Sequence, residues 1–77
     1  MIYTLCWEEN NFVRDIKVNR AQKIAETITV LKDGSILPPD LDIEKIRIFS
    51  KRKGEYINKK ASYEQEEIFQ GDILYIR

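Results

Sequence analysis

One segment carries helical periodicity over several turns, and two prolines stand a few residues beyond it. Ala21, Ile24, Ala25, Ile28 and Leu31 recur at helical spacing and form a single apolar stripe. The spacing predicts a helix from about Arg20 to about Asp33. Asn19 suits its N-cap, and Gln22 stands at the third helical position, a variant of the capping box. Gly34 suits the left-handed residue that ends a helix. Pro38 and Pro39 cannot continue it, and each holds the residue before it extended. A lone amphipathic helix needs one sheet to lie on, so the rest of the chain must supply that sheet.

It supplies short alternating runs. Met1, Tyr3, Leu5 and Trp7 share one parity, with Thr4 and Glu8 on the other. Glu8 to Asn11 is a polar turn, and Phe12 to Val18 a second strand in which Ile16 and Val18 alternate with Asp15 and Lys17. The short turn pairs the two as an antiparallel hairpin. Phe12 and Val13 are both apolar, which a bulge would explain. Lys45 to Ser50 reads as a third strand, with Ile46 and Ile48 on one face and Arg47 and Phe49 on the other. Glu55 to Asn58 is a short extended piece carrying Ile57. Ser62, with Gln65 three residues later, is a capping box for one helical turn anchored by Ile68. Gly71-Asp72 turns the chain into a last strand, where Leu74 and Ile76 alternate with Ile73, Tyr75 and Arg77. That strand has no hairpin partner just before it, so the sheet is expected to be mixed.

Composition narrows the function classes. The chain of 77 residues is one domain, residues 1–77, and at this size only about 60% of the unfolded surface is buried. An enclosed substrate pocket has little room. Thirteen basic residues balance thirteen acidic ones, so no global field draws in a phosphate backbone and no nucleic-acid partner is expected. There are no histidines, which removes the commonest general base and metal ligand. Adjacent carboxylates such as Glu66 and Glu67 point apart on a helical turn. No metal cluster, phosphate loop or nucleophile–base pair is present in the pattern, so an enzyme, a cofactor and a metal are not expected. One cysteine and no long apolar run or signal peptide lead to a cytoplasmic expectation, without membrane insertion.

The order strand, strand, helix, strand, short strand, helical turn, strand resembles the β-grasp, and ubiquitin in particular. The helix end Lys32-Asp33-Gly34 with Leu37-Pro38-Pro39-Asp40, the strand Arg47-Ile48-Phe49, and the capped turn Ser62 to Ile68 are similar to the corresponding ubiquitin pieces. The resemblance implies an α+β fold: a mixed four- to five-stranded sheet with one main helix packed on one face. Three departures stand out. The connector after Pro39 is slightly longer. An outward position on the third strand, apolar in ubiquitin's recognition patch, falls to Arg47 if Ile46 and Ile48 face the core. Ubiquitin-like modifiers and sulfur carriers act through a flexible tail ending in Gly-Gly, whereas the last residues here are Tyr75, Ile76 and Arg77; conjugation is therefore not expected. The YukD-like proteins, a bacterial ubiquitin-like group of this size associated with type VII secretion, also lack that tail, end in a similar strand, and carry a basic residue between apolar ones on the third strand. This resemblance implies a cytosolic accessory module that binds a protein, a secretion component by family analogy. The alternative is a sulfur carrier or modifier feeding an activating enzyme. A third reading is nucleic-acid binding through the Lys/Arg turn.

Arg47, Phe49, Ile73 and Tyr75 are the candidate protein-binding residues, on neighbouring strands of the outward face. Aromatic and arginine side chains are enriched at interface hot spots, although scattered exposed apolar residues are normal, and Phe49 could instead tuck under the loop that follows. Lys51, Arg52, Lys53, Lys59 and Lys60 are either a patch for an acidic partner or a solvated turn, with Glu64, Glu66, Glu67 and Asp72 near enough to pair locally; the turn is favoured. Cys6, mid-strand, reads as a small half-buried residue rather than a reactive thiol. Trp7 either anchors a partner or caps a thin core, and the cap is favoured.

Overall fold

The computed structural model describes residues 1–77. Strand β1 (Ile2–Trp7) turns through a 3-10 element (Glu8–Asn10) into β2 (Phe12–Lys17). Helix α1 (Ile24–Asp33) follows, then β3 (Ile48–Ser50), β4 (Glu55–Ile57) and β5 (Ile73–Ile76). The five strands form one mixed sheet in the order β2-β1-β5-β3-β4. β1 and β5 run parallel at its centre, and the other pairs are antiparallel. This is the α+β architecture expected from the sequence.

The inward parity fills the core. Tyr3 and Leu5 of β1, Ile16 of β2, Ile48 of β3, and Leu74 and Ile76 of β5 join Ile24, Ile28 and Leu31 of α1 in one buried cluster. Leu37 and Leu41 come in from the connector. Tyr63 and Ile68 come from the loop before β5, and all four are nearly or fully buried. The capping box is present: the Ser62 hydroxyl accepts from Gln65 N–H at 3.0 Å, and Gln65 Oε1 accepts from Ser62 N–H at 3.0 Å.

Several local expectations are corrected. Helix α1 begins at Ile24, not Arg20, and Lys23 at its N-cap is extended with no side-chain cap. Asn19 instead closes a turn, accepting Ala21 N–H on Oδ1 and Gln22 N–H on its carbonyl. The residues that follow are claimed by tertiary pairing. Arg20 and Gln22 carbonyls accept from Glu64 and Tyr63 N–H, while the Ala61 and Lys59 carbonyls take the first helical N–H groups, of Ile24 and Ala25. A distant loop thus does the work of a side-chain cap, and Ala21 lies exposed outside the helix.

At the other end Gly34 is not left-handed (φ −82°); Ser35 is, at φ 61°. Ser35 N–H bonds to Lys32 C=O and Ile36 N–H to Leu31 C=O, which is a Schellman closure with serine in the glycine position. No bulge interrupts the first hairpin: its register runs unbroken from Ile2↔Lys17 to Trp7↔Phe12. Phe12 is turned toward the core and Val13 outward, because a turn with Asn11 at φ 52° carries the chain directly into β2. The third strand is shorter than expected, beginning at Ile48, although Arg47 continues its pairing with Arg77 by two backbone bonds of 2.8 and 2.9 Å.

Candidate functional site

The sheet has its helix on one face only, so its other face is set by the outward parity of each strand. Residues paired in register point to the same side. Tyr75 of β5 is opposite Phe49 of β3, and Phe49 is opposite Tyr56 of β4. On the other flank Tyr75 neighbours Cys6 of β1, and Cys6 neighbours Val13 of β2. The row Val13–Cys6–Tyr75–Phe49–Tyr56 therefore crosses every strand. Val13 is 69% exposed and Tyr56 41%, while Phe49 and Tyr75 are half-buried by their neighbours.

Phe49 and Tyr56 meet edge to face, with ring centroids 5.2 Å apart at 74°. Such a pair contributes about 0.5–1.5 kcal/mol beyond its area. The arginines lie on this surface. The Arg47 guanidinium stands 4.0 Å from the Tyr56 centroid. That of Arg77 stands 4.8 Å from Phe49 and 5.0 Å from Tyr75. Ring quadrupoles attract these cations, and the Arg47–Arg77 backbone pairing sets both along one side of the row. Each ion pair in the molecule uses other cations, so Arg47 and Arg77 have no carboxylate partner.

Arg47, Phe49 and Tyr75 are thus brought together, and Phe49 faces outward rather than under its loop. Ile73 lies on the same face two residues before Tyr75, beside Thr4, and its carbonyl accepts from Lys51 N–H. Sequence reasoning missed Tyr56, Arg77 and Val13. The first two were readable: Ile57 inward implies Tyr56 outward, and Arg77 shares the parity of Tyr75. Val13 was hidden by the adjacent Phe12.

The other candidates make contacts within the fold. Around the Lys/Arg turn, the Arg52 side chain donates to the Glu67 carbonyl and reaches Asp72, while Lys53 donates to the Glu66 carbonyl and pairs with Glu55. Lys59 donates to the Ile46 carbonyl. Asp72 itself is buried, accepting the Ser50 hydroxyl and the Arg52 and Ile73 N–H groups. Cys6 is buried, and burial, with Glu8 nearby, pushes its thiol pKa up, the opposite of what a nucleophile needs. Trp7 is partly buried against the core beside Phe12, as a cap. No three His, Cys, Asp or Glu side chains come together as a metal site, and no helix is long and apolar enough to cross a membrane.

No family model matches the chain, and no curated protein matches its sequence. Solved structures do match. A de novo design based on ubiquitin superposes with a TM-score of 0.72 at 19% identity, covering 100% of this chain and 85% of that one. The solution structure of an N-terminal ubiquitin-like domain superposes with a TM-score of 0.70 at 5% identity, covering 100% and 72%. At such identities the likeness speaks for backbone architecture alone, and it agrees with the strand order and the single helix: this chain has the ubiquitin-like β-grasp fold.

Proposed function

We propose that this domain is a non-enzymatic protein-interaction module that docks a partner on the outward face of its sheet. The observation that carries this reading is the aromatic row Tyr75–Phe49–Tyr56 with Arg47 and Arg77 stacked on it and unpaired. Rings held by the sheet cost little entropy to dock, and arginine donors stay available to a partner. Fold alone does not choose the partner. The resemblance to YukD-like proteins supplies the specific version, an accessory component of type VII secretion acting without covalent chemistry. The alternative is a sulfur carrier or modifier that feeds an activating enzyme.

The test is an affinity pull-down from native cytosol, wild type beside Arg47→Glu/Tyr75→Ala. Recovery of a secretion ATPase or membrane component by the wild type alone supports both module and face. Equal recovery by the two keeps the module and removes the face. Recovery of nothing above background removes the secretion role, and a C-terminal thiocarboxylate or protein adduct in native mass spectra overturns the non-covalent reading.

A further inference from the structure

A second exposed aromatic stands at the other end of β5, on the turn that leads into it. Phe69 is 46% exposed, while Ile68 beside it is fully buried. The turn is fixed from several sides. Asp72 N–H bonds to Phe69 C=O at 3.1 Å, with Gly71 between them at φ 85°. Gly71 N–H bonds to Ile2 C=O at 2.9 Å, and the Gln70 side-chain oxygen takes Ile2 N–H at 2.8 Å. Phe69 is therefore presented by a turn fastened to the start of β1. Its display is already organised before anything binds, which lowers the entropic cost of docking.

Two guanidiniums from distant parts of the chain converge on that ring. Arg52 lies 4.5 Å from its centroid and Arg20 5.7 Å. Arg20 forms no ion pair. Arg52 donates one N–H to the Glu67 carbonyl and stands 3.8 Å from the buried Asp72, whose oxygens already accept from Ser50, Arg52 N–H and Ile73, so the remaining donors of its guanidinium have no hydrogen-bond partner. The surface is concave on both sides of Gln70. A hollow of about 400 Å³ is lined by Met1, Arg20, Phe69 and Gln70. Another of about 380 Å³ includes Lys51 and Arg52.

We infer that Phe69, Arg20 and Arg52 form a second docking surface, for a short acidic segment of a protein partner. An apolar side chain of that segment covers Phe69, and flanking carboxylates meet the guanidiniums, whose planar forks suit them. A nucleic-acid strand fits less well. The exposed Glu64 and Glu67 of the same loop confine the positive surface to the two guanidiniums, which suits a short segment and not a phosphate track, and a chain of zero net charge offers no extended cationic path.

The test is an amide NMR titration of the whole chain with the acetylated, amidated peptide Asp-Glu-Leu-Glu-Asp, up to about 1 mM, the weak end of specific affinities. Shifts are expected at Arg20, Arg52, Phe69 and Gln70, diminishing as salt is added. Phe69→Ala should weaken binding by about tenfold, the loss of one buried apolar contact of roughly 1.4 kcal/mol. Arg52→Glu should abolish it, and Phe69→Leu should retain most of it. Unchanged sheet amides in the free variants separate lost binding from lost folding. Absence of shifts, shifts centred on Phe49 and Tyr75, equal shifts with a lysine-for-acid peptide, or tighter binding of oligothymidylate at Phe69 would each overturn the inference. The pull-down through Arg47 and Tyr75 reads the other surface, so either can fail alone.

Discussion

Tyr3 and Tyr63 are the residues whose chemistry departs most from the ordinary. Their hydroxyls share a hydrogen bond of 2.8 Å inside the core, with ring centroids 5.2 Å apart. Burial pushes both phenol pKa values up from the model-compound 10.0, that of Tyr3 furthest, because a phenolate there would have no water. The sign of the pH dependence follows. Above about pH 10 the unfolded chain releases these protons while the folded chain keeps them. Stability is thus fully present below the unfolded pKa and lost as pH rises above it, with a slope of at most roughly 1.4 kcal/mol per pH unit for any one group. Urea titrations between about pH 8 and pH 11 should show this fall, and Tyr3→Phe should flatten it. At neutral pH Tyr3→Phe should cost about 1 kcal/mol, the loss of the shared hydrogen bond, since the Thr27 hydroxyl remains beside that of Tyr63.

At the scale of elements, the helix ends show where local chemistry and tertiary context disagree. The serine at φ 61° tolerates a conformation that glycine adopts freely. Ser35→Gly should therefore stabilise the protein by about 0.5–1 kcal/mol, read as a raised thermal midpoint. At Gly34, where φ is ordinary, an added Cβ would sit 3.3 Å from the Val30 carbonyl, so Gly34→Ala offers little relief. A protein in which Gly34→Ala stabilises more than Ser35→Gly would contradict this assignment of the closure. The sequence pointed to Gly34 because glycine is the usual occupant. The structure moves the left-handed turn on by one residue so that Ile36 and Leu37 can both bond back to Leu31.

At the scale of the molecule, long loops are held close. The Cα radius of gyration is 11.2 Å, near the roughly 11.5 Å expected of a compact domain this size. Residues 35–47 and 58–72 thus wrap the core, sending in Leu37, Leu41, Tyr63 and Ile68. With one core cluster and no second unit, unfolding should be a single transition. Far-UV circular dichroism and fluorescence of Trp7, which sits at the core's end, should give coincident curves; an earlier fluorescence change would mean that this end opens separately. Arg47, which pairs with Arg77, and Phe69 lie at opposite ends of β5. Stability changes from Arg47→Glu and Phe69→Ala should accordingly add within about 0.5 kcal/mol.

The sequence by itself determined the parity of β1, β3 and β5, the helical stripe from Ile24 to Leu31, the capped turn at Ser62–Gln65, and a fold of one helix on one mixed sheet. Those features are local: period, turn chemistry and capping act within a few residues. It also pointed to Arg47, Ile73 and Tyr75 on one face by parity, and left Phe49 open, which strand pairing with Tyr56 and Tyr75 then placed on that face. Only the tertiary structure decided that the helix starts at Ile24, because carbonyls of Lys59 and Ala61 supply its first partners from across the chain. It alone aligned Val13, Cys6, Tyr75, Phe49 and Tyr56 into one row, because register between strands far apart in sequence is set by packing and pairing, not by any neighbouring residue. The meeting of Arg20 and Arg52 on Phe69 is of the same kind: three residues spread over fifty positions of chain, brought together by the turn that fastens β5 to β1.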